Sequence, residues 1–269
     1  SWTSGTPKEK NFLGYEGLET QAIAGIGVHR MRCDTNVMSE FSDYKDLFDY
    51  AFPTVAVPER YDVEHAGLAI AAYERTLLAN ESPWQLWLNG SSTALSDHQK
   101  EGAYYFFSKA ECYKCHTGPA LNSMEFHALG MGDLDGPGIY GTSVDDLEKK
   151  GRGGFTNKQE DMYKFKVPQL YNLKDSKFYG HGGSFTSVHD VIMYKNKGQA
   201  ENEDVPEDKL ADEFHPLNLT SEEISAITDF IENGLRDPNL SRYQPYALPS
   251  GNCFPNNDAL SKIDLGCIP

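Results

Sequence analysis

The chain has 269 residues, enough to bury one large core or two small ones, and sets 24 Lys and Arg against 40 Asp and Glu for a formal charge of −16 at pH 7. That balance argues against nucleic acid or an anionic membrane surface as a partner and favours encounter with a basic protein. No apolar run approaches the roughly 20 residues that span a bilayer, so no membrane span is expected.

In chain order, residues 1–20 show no period and read as an irregular lead-in. From Val63 onward, apolar residues recur every three to four positions through Ala66, Ile70, Tyr73 and Leu77. Residues 62–80 are therefore expected to form an amphipathic helix, ended by Asn80 and Pro83. Trp84 and Trp87 follow and are expected to serve as core or turn packing, with an electron-hopping relay as the less common reading. Ser96 with Gln99 forms a capping box for a second helix over 97–110. Residues 129–157 are rich in glycine, poor in apolar residues and without a period, which marks a long loop over a cofactor edge or a mobile segment. Ser187 with Asp190 caps a short helix over 188–197 closed by Gly198, and Thr220 with Glu223 caps another over 221–233 closed by Gly234. The acidic stretch between them, 198–216, reads as a solvated connector. Strand signals are few, so the fold is expected to be mainly α.

Between the second helix and the glycine-rich segment lies "ECYKCHTGPALN", residues 111–122. With the Cys and His content of this chain, chance would supply only about 0.003 Cys-x-x-Cys-His strings, so the match to c-type haem attachment is specific. The spacing suits that chemistry. Cys112 and Cys115 would form thioethers to the porphyrin edge from one helical turn, and His116 would swing beneath the ring as the proximal iron ligand. A zinc site would need further Cys or His at metal spacing, and Cys33, Cys253 and Cys267 are remote. Thioether attachment takes place outside the bacterial cytoplasm, so the chain is expected to be periplasmic or otherwise exported, with its signal peptide removed. Such a compartment allows disulfides, and Cys253 and Cys267, which close a short Pro/Asn-rich tail loop, are expected to pair. Cys33 is left over as a buried thiol or a bridge to another chain.

The order of motifs resembles the bacterial di-haem cytochrome c peroxidase and MauG family, in its C-terminal haem domain. The resemblance rests on "AYERTLLANESPWQLWLNG" at 72–90, on "ALSDHQKEGAYYFFSKAECYKCHTGPALN" at 94–122, on "FKVPQLYNLKDSKFYGHGGSFTSVHDVIMYKNKG" at 165–198, and on the closing helix at 221–233. It implies a cytochrome c-like helical haem domain with long irregular loops over 81–236, a helical remnant of the N-terminal peroxidase domain over 1–80, and a tail over 237–269. Family members usually carry a first Cys-x-x-Cys-His in the N-terminal domain, where peroxide reacts. Here "FLGYEGLETQAIAG" resembles the end of that domain, so a second haem c is expected on a missing segment or a partner chain. In the family a Pro and then a Glu line the peroxide pocket; the matching positions are Gly25 and, within a residue or so, Met31. His29 and Arg30 are the candidate replacement acid-base pair, with a plain surface pair as the commoner reading.

The family places a Met or a Tyr as sixth iron ligand on the helix after the "YxHxGS" turn, and in the gap-free register that position is Lys195. Helical geometry sets Lys195 on one face with Val188, Val191 and Ile192, and sets Met193 with His189 and Asn196 on the other. Only a neutral amine binds iron, and neutralising a lysine at pH 7 costs about 4.6 kcal/mol from its reference pKa. The alternatives are a lysine reaching a haem propionate or water beside five-coordinate iron, or ligation by Met193 or Met131. His181 matches a family His near the haem, with a satisfied structural His as the equal reading. The carbonyls of Ser176 and Phe178 match positions that help bind a calcium ion between domains in some members.

The resemblance implies a peroxidase-type oxidoreductase in which this haem stores or passes an electron while peroxide is cleaved at another. The alternative is a non-catalytic mono-haem electron-transfer subunit of a larger redox complex. Implied partners are hydrogen peroxide and a redox protein, either a small cytochrome or a chain carrying the second haem, in an oligomer or hetero-complex.

Overall fold

The structure, a computed structural model, describes residues 13–15, 17–28, 42–136, 143, 145–245, 248 and 263. His29, Arg30, Met31, Cys33, Cys253 and Cys267 lie outside the described residues. The described residues form two compact units: 13–78 with those from 240 onward, and 79–239. Both are built from helices, and the strands described are two residues long.

The first unit contains α1 (Leu18–Val28), α2 (Ser42–Ala51) and α3 (Val63–Glu74). The lead-in is thus shorter than expected, since α1 already begins at Leu18. Asp62 caps α3 by accepting from the His65 amide at 2.9 Å. The helix then ends at Glu74 rather than near Asn80. Thr76 explains the early stop: its amide and its hydroxyl both donate to the Tyr73 carbonyl, at 2.8 and 2.7 Å, and so occupy the acceptor that a further turn would need. The buried face of α3 also differs from the expected stripe. Ala66, Gly67 and Ala71 are buried, while Ile70, Tyr73 and Leu77 are exposed. A close crossing causes this. A Cβ on Gly67 would sit 2.3 Å from Ile23 Cγ1, so α1 and α3 meet over their small residues and the large ones are pushed to the flanks. Ile26, Phe48, Tyr61 and Ala66 fill the remaining core. Asp49 ties it together, accepting from Tyr61 Oη (2.5 Å), Lys45 Nζ (2.6 Å) and Arg60 Nη1 (3.0 Å).

The second unit holds α4 (Pro83–Leu88), α5 (Asp97–Phe106), α6 (Arg152–Thr156), α7 (Val188–Lys197) and α8 (Ser221–Asp229), the last running into a π turn over Phe230–Gly234. Complete capping boxes open α4 at Ser82, α5 at Ser96 and α8 at Thr220, and Ser187 accepts from the Asp190 amide to open α7. Gly198 closes α7 in the left-handed region at φ 59°. The α5 helix stops at Phe106, four residues short of the expected end, and a tight turn leads from it to the cysteines. α5 and α8 cross so closely that a Cβ on Gly102 would lie 2.0 Å from the Ala226 carbonyl oxygen. Around that crossing Phe106, Ile227, Phe230 and Leu235 are fully buried.

The glycine-rich segment has more structure than its pattern suggests. Leu147–Lys150 forms a 3₁₀ turn and α6 follows directly, while β1 (Phe126–His127) pairs antiparallel with β2 (Phe165–Lys166). A Cβ on Gly154 would lie 1.9 Å from the Leu147 carbonyl oxygen, so at this position glycine serves close packing. The acidic connector is likewise anchored: Phe214 is buried with Phe185 and Tyr194.

Candidate haem site

Cys112 opens a 3₁₀ turn at the end of the α5 connection, entered through Glu111 in the left-handed region (φ 54°). The Cys112 carbonyl accepts from both the Cys115 amide (3.3 Å) and the His116 amide (2.9 Å), so one helical turn carries all three side chains. Both cysteines are free thiols and half-buried. Burial pushes the Cys112 thiol up to about 12 and raises Cys115 as well, with the nearby Lys195 charge opposing both shifts. Protonated thiols in such surroundings are poor thiolate ligands and poor nucleophiles. Among the described residues no group of three or more His, Cys, Asp or Glu side chains is placed to hold a metal ion, which leaves the zinc alternative without support.

His116 Nδ1 pairs with the Leu121 carbonyl oxygen at 2.8 Å. Leu121 is buried and itself left-handed (φ 49°), an uncommon conformation for a branched side chain. With Nδ1 as the donor in that pair, Nε2 is the nitrogen left for another bond. Burial pulls the His116 pKa down to about 4; the Leu121 and Pro168 carbonyls oppose this and the Lys195 charge adds to it. The imidazole is therefore neutral across the physiological range, the state in which it can bind a metal.

Lys195 stands on α7 beside Val191 and Ile192. Its charge acts on Cys112, Cys115 and His116, which places the amine on the same site as the attachment turn. Burial lowers its pKa, against the pull of the Cys115 and Cys112 sulfurs. Among the described residues Lys195 forms no ion pair; its Nζ lies 5.6 Å from the centroid of the Phe214 ring. Met193 points away and is exposed, and Met131 packs beside Phe185, Tyr194 and Phe214. Asn196 does not face solvent as expected; it is half-buried and clamps Leu219 through both amide atoms, at 2.8 and 3.3 Å.

His181 pairs through Nε2 with Asp133 (2.9 Å) and stacks on the Phe165 ring at 3.7 Å. The Ser176 carbonyl accepts from Tyr179 Oη at 3.0 Å, and the Phe178 side chain is exposed. Trp84 and Trp87 stack on each other. Three site residues went unrecognised in the sequence: Leu121 and Pro168, whose carbonyls act on His116, and Phe214, which lies under the Lys195 amine. Only Phe214 left a trace, as a lone large aromatic within an acidic stretch.

A family model described as di-haem cytochrome c peroxidase matches residues 15–93. Cytochrome-c peroxidase IdrP1 of Pseudomonas sp. (strain SCT) is 28% identical over 89% of this chain and 70% of its own length. These matches make the chain similar to the di-haem cytochrome c peroxidase and MauG family. The methylamine utilization protein MauG of Methylophilus methylotrophus is 26% identical over 81% of this chain and 62% of its own length. Cytochrome c551 peroxidase of Pseudomonas aeruginosa is 29% identical over 64% of this chain, which spans 47% of that relative. In fold, the chain is similar to a MauG-like protein associated with microbial copper homeostasis, with a TM-score of 0.62 at 24% identity over 77% of this chain and 63% of the other. Among the described residues no helix is long and apolar enough to cross a membrane.

Proposed function

We propose that this chain is an exported, haem c-binding oxidoreductase of the peroxidase type, in which the group at Cys112, Cys115 and His116 passes or stores electrons. The observation that carries the reading is the His116 ring: neutral, fixed through Nδ1 by Leu121, and set on the same turn as two unpaired, protonated thiols. The buried Ser123 hydroxyl, two residues beyond Leu121, has no partner among the described residues, as expected where a polar group of a cofactor completes the site. Bound haem supplies one-electron redox chemistry; the protein anchors it, orients the proximal imidazole and excludes water.

Lys195 is the proposed ligand or close neighbour on the opposite face, because its buried amine is already displaced toward the neutral form that iron requires. A closed sixth position favours electron transfer at this haem. Peroxide would then be cleaved at a second haem, on a further segment or a partner chain, with a small cytochrome as electron donor. His29 and Arg30 remain proposed acid-base residues, and calcium at the Ser176 and Phe178 carbonyls a proposed structural ion. The alternative, a mono-haem electron-transfer subunit, draws on the same Lys195 geometry.

Haem counted per native assembly separates the two: two per assembly supports the peroxidase and one supports the carrier. Lys195→Ala is expected to change the ferric optical and EPR spectra. Identical spectra in both redox states would remove the lysine from the coordination sphere.

A further inference from the structure

Two chain segments that are hydrogen-bonded to each other enclose the His116 imidazole. Residues 119–127 supply the Leu121 carbonyl that pairs with His116 Nδ1, and residues 165–171 supply the Pro168 carbonyl that also acts on the ring. The Val167 amide donates to the Glu125 carbonyl at 2.9 Å, and Tyr171 Oη donates to the Pro119 carbonyl at 3.1 Å. Lys166 stands opposite Phe126 in the β1–β2 ribbon. Each segment carries a polar side chain, two residues from its carbonyl at His116, that the protein leaves incomplete.

On the first segment it is Ser123. Its hydroxyl is buried, and among the described residues it is the one buried side-chain nitrogen or oxygen with no hydrogen-bond partner. Such a hydroxyl gives up its bonds to water and regains none. On the second segment it is Lys166, half-buried, whose Nζ donates to the Val167 carbonyl at 3.0 Å and forms no ion pair among the described residues. Burial lowers its pKa, and no carboxylate acts against that shift. A half-buried lysine without a carboxylate is unexpected in a chain with 40 Asp and Glu against 24 Lys and Arg. The charged groups around it are engaged elsewhere: Glu125 with His127 at 3.3 Å, and Arg152 with Asp161 at 3.3 Å. A cation and a buried hydroxyl on the two segments that hold one imidazole are complementary to an anion that accepts hydrogen bonds. Haem brings such groups, since the porphyrin carries two propionate carboxylates.

We propose that Lys166 and Ser123 receive a propionate carboxylate of the haem, Lys166 as its counter-ion and Ser123 as a hydroxyl donor. The inference rests on the haem reading above and adds non-covalent recognition to the covalent anchor at Cys112 and Cys115. An ion pair and a donated hydrogen bond both favour the ionised carboxylate over the acid, so they hold the propionate pKa down. Ferric and ferrous haem differ by one charge, so ionisation of that propionate shows as a step in the pH dependence of the midpoint potential.

The test uses the haem-bearing full chain. Potentiometric titration across pH locates the step, and redox-difference infrared spectroscopy with haem labelled with carbon-13 in the propionate carboxyls assigns it. Lys166→Met is expected to raise the proton affinity of the propionate about tenfold and so move the step up by about one pH unit. Lys166→Arg keeps the cation and should leave the step near its original pH. Ser123→Ala should move it in the same direction as Lys166→Met by a smaller amount. A step that stays in place in both Lys166→Met and Ser123→Ala would overturn the proposal, and so would equal shifts in Lys166→Met and Lys166→Arg, which would make the role of Lys166 structural. Should Lys166→Met fail to fold by far-UV circular dichroism, Ser123→Ala decides alone. Haem is counted in every sample, so its absence from the unsubstituted chain marks failure of the haem reading, and full haem with an immobile step marks failure of this inference alone.

Discussion

The two units solve the same problem, a close crossing of two helices, in different ways. In the first, Gly67 of α3 faces Ile23, whose branched side chain comes nearest and whose backbone follows at 3.0 Å. In the second, Gly102 of α5 faces the Ala226 backbone directly, with the carbonyl oxygen at 2.0 Å. The surroundings differ accordingly. The first unit is held by a small core and by charged contacts around Asp49, whereas the second closes over fully buried aromatic rings beside the Cys112–His116 turn. The tighter backbone crossing lies in the unit that carries the Cys112–His116 turn.

The contrast can be broken most forcefully in the aromatic core. Phe230→Ala should destabilise the second unit by about 3–5 kcal/mol, since it removes a fully buried ring from the middle of the cluster. Denaturant unfolding followed by haem absorbance and by far-UV circular dichroism would measure it. A matched pair of glycine substitutions comes next. Gly102→Ala should cost about 3 kcal/mol and Gly67→Ala about 2 kcal/mol, because the first new methyl meets backbone at once and the second meets the branched Ile23 side chain before its backbone. Equal losses in calorimetry would erase the distinction drawn between the units.

Acid should separate them too. Burial holds His116 at about 4, below the usual histidine range, so in the haem-free chain the unfolded state binds the proton first as pH falls. The stability this group contributes is complete above about pH 6.5, is lost between there and its folded value, and amounts to about 3 kcal/mol. Asp49 is held well below the ordinary carboxylate range by hydrogen bonds from Lys45, Tyr61 and Arg60. Its contribution persists to lower pH and disappears only as the solution passes below the carboxylate range toward its depressed folded pKa. Unfolding midpoints taken from pH 7 to pH 3, with His116→Gln as reference, should show the second unit weakening first. The smallest effect belongs to a cap. Ser82→Ala should cost about 1 kcal/mol, as it removes the capping box of α4 from a fully buried position.

How much of this could be read before the structure depended on the range of the interactions. The caps at Ser96, Ser187 and Thr220 and the stop at Gly198 are local, and the sequence signals match the observed helix starts and end. α3 ends before its hydrophobic period does because Thr76 takes over a carbonyl, an event that leaves no trace in that period. The buried face of α3 was misread because a glycine-mediated crossing puts small residues inside. At the site, Cys112, Cys115 and His116 are contiguous and could be seen at once, and Lys195 followed from helical phase. Leu121 and Pro168 act through backbone carbonyls, which no side-chain pattern reveals.

The most direct check is proteolytic mapping of the purified protein around residues 111–122. A single peptide should carry haem mass bound through both Cys112 and Cys115, resistant to acid-acetone and refractory to thiol alkylation. Recovery of that peptide unmodified, with both thiols free to alkylate, would contradict the assignment.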